Sequence, residues 1–297
     1  MKLAPHIEIL RPRQWLKNGL VLVGLLFALP DQTRVGVIDY STVLRCFAAF
    51  GLFCMVSSAI YILNDICDAE EDRAHPQKKT RPVASGRLSK QAAQIEMSAL
   101  IMLAGPLTTF FVNPRFGFCV VAYLFMQIFY TTVLRKAVLV DVFVIALGFI
   151  LRVYAGTLAA GVKASPWLLL CTFAIALFIA LCKRYDERVT LGDAAAKHRK
   201  VLAQYDPRFL SHIITATAAL TIICYAIYTL SPQTVAKFGH DHLVATVPFV
   251  VFGIYRYAYL VFCKGQGGCP ERIVTTDIPT IVNFALYAAT CVAVLAF

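Results

Sequence analysis

The sequence predicts an all-α, polytopic integral membrane protein of about nine spanning helices, and three observations carry that expectation. The first is composition: the 297 residues are 59% hydrophobic and only 15% charged, with a mean hydropathy of +0.69. Soluble domains are about 45–50% apolar and about 25% charged, so both figures have moved toward lipid. The second is recurrence, because apolar stretches follow one another from the first turns to the last residue and leave no room for a soluble domain. The third is the confinement of charge to short loops between them. A single transmembrane domain over 1–297 is therefore expected, and disordered, collagen-like and disulfide-scaffold classes are excluded. The ten cysteines lie mostly inside apolar runs without a C-x-x-C pair, so they read as small buried apolar residues with neither metal nor disulfides assigned.

A spanning helix needs about 20 mostly apolar residues. Nine stretches come near that length: 16–30, 43–63, 93–112, 116–134, 138–160, 166–182, 210–230, 244–262 and 278–297. The first is the shortest. Basic residues ahead of Leu20–Leu29 imitate a signal peptide, but no small-x-small site follows, so the stretch is read as a first span. Just before it, RPRQWLKN at 11–18 reads as an interfacial helix with Trp15 at headgroup level and Arg11, Arg13 and Lys17 in reach of phosphate.

With the N-terminus in the cytoplasm, 21 of the 28 Lys and Arg residues fall on the cytoplasmic side. The positive-inside rule then places the N-terminus inside a cell (inner) membrane and the C-terminus outside. The net charge of +11 is concentrated on one face, which suits anionic headgroups or an anionic substrate. Nucleic acid is a poor partner, because the basic residues sit in short loops clamped between spans.

Two of those loops hold most of the unusual chemistry. They lie four spans apart, which suggests two related four-helix units plus a ninth helix. The first, after span two, begins NDICDAEEDRAHPQKKTRPVASGR. Asp65, Asp68 and Asp72 are spaced i, i+3, i+7, within roughly a 60° arc of one helix face. Three stacked carboxylates repel one another unless divalent cations sit among them, and oxygen ligands that leave water bound suit Mg²⁺. Arg73, His75, Lys78, Lys79, Arg81 and Arg87 follow at once, and cations beside metal-binding carboxylates can grip a pyrophosphate. For Lys79 and Arg87 simple topology suffices. The second loop, after span six, carries Lys183, Arg184, Asp186 and Glu187, then His198 and Arg199, with no second Asp-x-x-x-Asp. Asp141 enters span five and Arg152 lies eleven residues on, on nearly the same face, and ionisable residues in a span face the protein interior or a watery cavity.

These residues resemble the UbiA superfamily of intramembrane prenyltransferases, whose first Asp-rich motif N-D-x-x-D-x-x-x-D is matched in full by Asn64, Asp65, Asp68 and Asp72. The flanking pattern is most similar to the members that act on decaprenyl phosphate in building the arabinan of mycobacterial walls. RPRQWLKN at 11–18, DRAHPQKKTRPVASG at 72–86, the Tyr130 to Asp141 stretch, LRVYAG at 151–156, KRYDE at 183–187, HRKVLAQY at 198–205 and Pro270 through Asp277 to Pro279 carry the likeness. Aromatic prenyltransferases usually have a second Asp-rich motif after span six, and here Lys183, Arg184 and a lone Glu187 replace it.

The resemblance implies a UbiA-type bundle capped by polar cytoplasmic loops. It implies transfer of a phosphoribosyl group from phosphoribosyl pyrophosphate to a polyprenyl phosphate, with Mg²⁺ on Asp65, Asp68 and Asp72 as the catalytic set. It also implies substrate contacts from Lys17, Asn18, Asn64, Arg73, His75, Lys78, Arg81, Tyr130, Arg135, Asp141, Arg152, Lys183, Arg184, Glu187 and Arg199. A homo-oligomer stays open. The rival within the superfamily moves a prenyl group from prenyl pyrophosphate to an aromatic or other acceptor. The rival of another class is a transporter or lipid-binding protein, which predicts charges near the bilayer midplane instead of at one end.

Overall fold

A computed structural model describes residues 4–34, 39–74, 78–192, 200–268 and 270–296. The described residues form helices and connecting turns. In order they are α1 (Pro5–Ile9), a 3-10 helix (Pro12–Leu22), α2 (Val23–Arg34), α3 (Tyr40–Cys67), α4 (Ala69–Ala74), α5 (Lys90–Phe111), α6 (Pro114–Thr132), α7 (Val140–Ala160) and α8 (Pro166–Leu191). Then follow α9 (Lys200–Ala203), α10 (Pro207–Leu230), α11 (Pro232–Phe238), α12 (Val247–Lys264), α13 (Pro270–Thr276) and α14 (Ile278–Ala296).

Among the described residues, seven helices are long and apolar enough to cross a membrane, and they fall on the second to eighth of the nine predicted stretches. Several start where the sequence signals a start. Asn113 and Asp206 each precede a proline and accept backbone N–H bonds, from Phe116 at 2.9 Å and from Arg208 at 2.8 Å. Such caps satisfy the orphan donors of a first turn, while proline at N1 loses no bond. The predicted ninth span is a shorter apolar helix, Ile278–Val294.

The first predicted span is corrected in form. Residues 12–22 wind as a 3-10 helix before α2 begins. Three residues per turn put Trp15, Asn18 and Val21 in one column. Trp15 donates Nε1–H to Ser58 Oγ at 3.0 Å and Asn18 donates to Ser57 Oγ at 2.8 Å, both on α3. RPRQWLKN is thus held against α3 through Trp15 and Asn18.

The chain divides into two compact units, one of residues 1–135 with 147–164 and one of residues 136–146 with 165–297. In the first unit Phe53, Phe116, Val120 and Tyr123 form a buried core with Val21 and Ala155. Backbones there meet closely: a Cβ on Gly156 would lie 2.0 Å from the Val21 carbonyl oxygen, and one on Gly24 would lie 2.2 Å from that of Gly156. Only glycine allows that approach. A second cluster of Ile9, Ile62, Ala69, Val83, Leu88 and Ala93 ties α1 and the loop after α4 to the end of α3.

Candidate active site

The Asp-rich motif straddles a helix break. α3 ends at Cys67, Asp68 caps it with φ −92° and ψ 3°, and Asp72 belongs to α4. The expected single helical face for Asp65, Asp68 and Asp72 is thus interrupted, although Asp72 N–H still bonds the Asp68 carbonyl at 2.8 Å. Asp65 and Asp72 are 2% and 4% exposed, so each needs a compensating charge.

Arginines supply it. Arg81 Nη1 lies 2.6 Å from Asp72 and 3.4 Å from Asp65. Arg11 also pairs with Asp65, and Arg135 with Asp68. Arg81 is positioned by local structure: buried Val83 and Leu88 pin the loop, Ser85 Oγ donates to the Arg81 carbonyl at 2.8 Å, and Gly86 turns the chain at φ 75°. Asn64 is fixed by Thr131, whose hydroxyl donates to it at 2.6 Å.

In the same unit, Arg152 is 5% exposed. It donates to Asn18 Oδ1 at 3.0 Å, to the Gly148 carbonyl at 3.0 Å and to Tyr123 Oη at 2.7 Å. Its guanidinium lies near the rings of Phe53, Tyr123 and Phe149. Among the described residues no carboxylate pairs with it.

The second unit holds another buried polar cluster. Arg184 donates to Asp141 at 2.7 Å and to Glu187 at 2.7 Å. Tyr205 donates its hydroxyl to Asp141 at 2.6 Å and accepts the Leu139 N–H at 2.7 Å. Burial, with the hydrogen bond to Asp141, pushes the Tyr205 phenol well above its ordinary pKa, so it stays a donor. Among the described residues, Arg11 and Leu139 are the two non-glycine residues with positive φ, 52° and 65°, and each adjoins one of these clusters.

The remaining predicted site residues lie on several elements. Arg73 donates to the Ala84 carbonyl at 3.2 Å and to exposed Glu70 at 2.9 Å, and so is not brought to the motif carboxylates. Asp141 and Arg152, though both buried, have different partners in different units. Lys17 is half-buried on the 3-10 helix, Lys78 opens the 3-10 turn Lys78–Thr80, Tyr130 is half-buried on α6, and Lys183 is half-buried on α8. His75 and Arg199 lie outside the described residues. The sequence reading put Arg11 in reach of phosphate without pairing it to Asp65, and did not place Tyr123, Thr131 or Tyr205 in the site. Thr131 and Tyr205 fall inside matched stretches, which was their only signal.

A model of the UbiA prenyltransferase family matches residues 19–274. The chain belongs to the UbiA prenyltransferase family. Its relatives include a decaprenyl-phosphate phosphoribosyltransferase of Corynebacterium glutamicum, 35% identical over 91% of this chain and 80% of that one. A protein of the same name from Mycobacterium tuberculosis is 33% identical over 98% of this chain and 94% of that one. The fold is that of a UbiA homologue from Archaeoglobus fulgidus solved with DMAPP and Mg²⁺, at a TM-score of 0.71 and 18% identity over 98% of this chain and 99% of that one. This UbiA-family chain is accordingly a multi-pass membrane enzyme.

Its motif residues suit a divalent cation in donor chemistry, being hard carboxylate oxygens with an amide beside them. As they stand, however, no three metal-type side chains among the described residues are grouped closely enough to hold one. The counter-charges beside these carboxylates are the guanidinium groups of Arg11, Arg81 and Arg135.

Proposed function

We propose that this UbiA-family enzyme transfers a 5-phosphoribosyl group from phosphoribosyl pyrophosphate to a polyprenyl phosphate of decaprenyl type, for cell-wall or glycan precursor synthesis. The observation that carries the reading is the matched set of Asp65, Asp68 and Asp72 with Arg11, Arg81 and Arg135 in one unit. Carboxylates for a metal and guanidiniums for phosphate oxygens together make a diphosphate site. Kinship with phosphoribosyltransferases over nearly the whole chain supports the choice of donor.

In this reading Asp65, Asp68 and Asp72 hold Mg²⁺, which when bound neutralises charge on the pyrophosphate leaving group. Arg81 and Arg135 grip its phosphate oxygens. The C1–O bond of ribose breaks with oxocarbenium character, and a phosphate oxygen of the lipid forms the new bond to C1. The products are pyrophosphate and a polyprenyl-phosphoryl ribose 5-phosphate. The attacking phosphate is already an anion and needs no strong base, so positioning and charge stabilisation do the catalysis. Lys17 and Lys78 are assigned to the remaining substrate phosphates. Arg152 orders Asn18 and Tyr123 behind the site. The loops bearing these groups face the cytoplasm.

Detergent-purified protein incubated with Mg²⁺, labelled phosphoribosyl pyrophosphate and decaprenyl phosphate tests this directly. Label is expected in the organic extract only when both lipid and metal are present. No label, with turnover of geranylgeranyl or polyprenyl pyrophosphate instead, would overturn the assignment in favour of prenyl transfer.

A further inference from the structure

Resting on the reading of the motif as a metal–diphosphate site, we infer that Arg11 is its exchanging counter-ion. It neutralises Asp65 when no metal is bound and passes to the diphosphate when a metal claims that carboxylate. Three observations lead there.

The first is competition for one carboxylate. Asp65 is 2% exposed and is approached by two guanidiniums, of Arg11 and Arg81. Arg81 has its shorter contact with Asp72, at 2.6 Å against 3.4 Å. Among the described residues Arg11 pairs with no second carboxylate: its other neighbour is the face of Tyr61, 5.2 Å from ring centroid to guanidinium carbon. A divalent cation on Asp65 beside both arginines would gather four positive charges around one carboxylate. The guanidinium with the weaker alternative hold is the one displaced.

The second is what stays fixed. The backbone at Arg11 is left-handed, φ 52° and ψ 60°, immediately before Pro12, which disfavours helical conformations in the residue it follows. It is clamped on both sides: Ser58 Oγ donates to the Leu10 carbonyl at 2.9 Å and accepts Trp15 Nε1–H at 3.0 Å. Arg11 N–H also bonds the Glu8 carbonyl at 3.1 Å. An unfavourable conformation held this firmly aims a side chain. Exchange then requires rotation of the Arg11 side chain alone.

The third is accessibility. The Arg11 side chain is 25% exposed while its partner is buried, so the guanidinium stands on the solvent side of the carboxylate. A diphosphate arriving with its metal meets that guanidinium first, and the planar fork suits phosphate oxygens.

The test uses Mn²⁺ and inorganic pyrophosphate with the full-length protein in detergent, so it does not depend on the identity of the donor or acceptor. Mn²⁺ binding is followed by electron paramagnetic resonance. Arg11→Gln is expected to bind Mn²⁺ about fivefold more tightly without pyrophosphate, as expected for loss of a part-exposed ion pair that competes with it. The same variant should bind pyrophosphate in the presence of Mn²⁺ about tenfold more weakly. A purely structural Arg11 would not move these two affinities in opposite directions. Arg11→Lys keeps the competing charge but not the fork, and should leave Mn²⁺ affinity near wild type while weakening pyrophosphate. If Arg11→Gln does not fold, unchanged pyrophosphate affinity in Arg11→Lys overturns the exchange. Unchanged or weaker Mn²⁺ binding in folded Arg11→Gln overturns it as well and leaves the metal site standing. Failure of the wild type to bind Mn²⁺ overturns both.

Discussion

Arg184 donates its Nε–H to Asp141 at 2.7 Å, across 43 positions of sequence, with both side chains buried. Breaking such a pair from one side leaves a buried charge uncompensated, whereas removing both ends can be nearly neutral. Arg184→Met is expected to lower stability by about 3–5 kcal/mol. Adding Asp141→Leu should recover most of that loss, less about 1 kcal/mol for the hydrogen bond Tyr205 then lacks. Melting of the single and double variants in detergent checks this, and a single variant as stable as wild type would refute the pair's structural weight.

Arg152 donates to three neutral acceptors in different directions. An ammonium cannot reproduce that planar fan, so Arg152→Lys should behave as a disruptive change, costing about 2–3 kcal/mol. Asn18 and Tyr123 would lose their common partner. A melt within a few tenths of wild type would show that the fan is dispensable.

Glycines of the same chain should divide sharply. A side chain on Gly156 has no room, its Cβ falling 2.0 Å from the Val21 carbonyl oxygen, while one on Gly51 meets nothing within 4 Å. Gly156→Ala is expected to lose well over 1–3 kcal/mol, about the usual overpacking penalty, because backbone and not a movable side chain is in the way. Gly51→Ala should be neutral or gain about 0.5–1 kcal/mol of helix propensity. Thermal unfolding of the two variants side by side decides it.

Asp68→Ala and Asp72→Asn should each reduce activity about 10²–10³-fold, in the range for loss of one preorganised charge-stabilising group. Arg135 and Arg81 respectively would lose their carboxylate partners. Chelation of divalent metal should abolish wild-type activity, and Mg²⁺ should restore it. Full activity in Asp68→Ala, measured as label in the organic extract, would remove the metal role from the motif.

Much of the architecture was readable because lipid imposes a simple rule. Every span must be long, apolar and internally hydrogen-bonded, so composition and length alone locate it. The matching starts at Asn113 and Asp206 were readable for a similar reason, since capping chemistry is local. The 3-10 segment was not. Its choice over an α-helix is consistent with the column Trp15, Asn18 and Val21 finding Ser58, Ser57 and Gly156 elsewhere in the chain, and no periodicity within 12–22 encodes those partners.

The sequence by itself determined the membrane class, the seven helices long and apolar enough to span and the motif Asn64, Asp65, Asp68 and Asp72 that marks the family. These follow from residue type and spacing. Only the tertiary structure decided which charge answers which. Arg11 turned out to be paired with Asp65, Arg135 with Asp68 and Arg184 with Asp141, while adjacent Arg73 turned to Glu70. Partners of buried charges are chosen by three-dimensional proximity where water is excluded, and proximity across 43 to 67 positions is a property of the packed helices, not of the linear order.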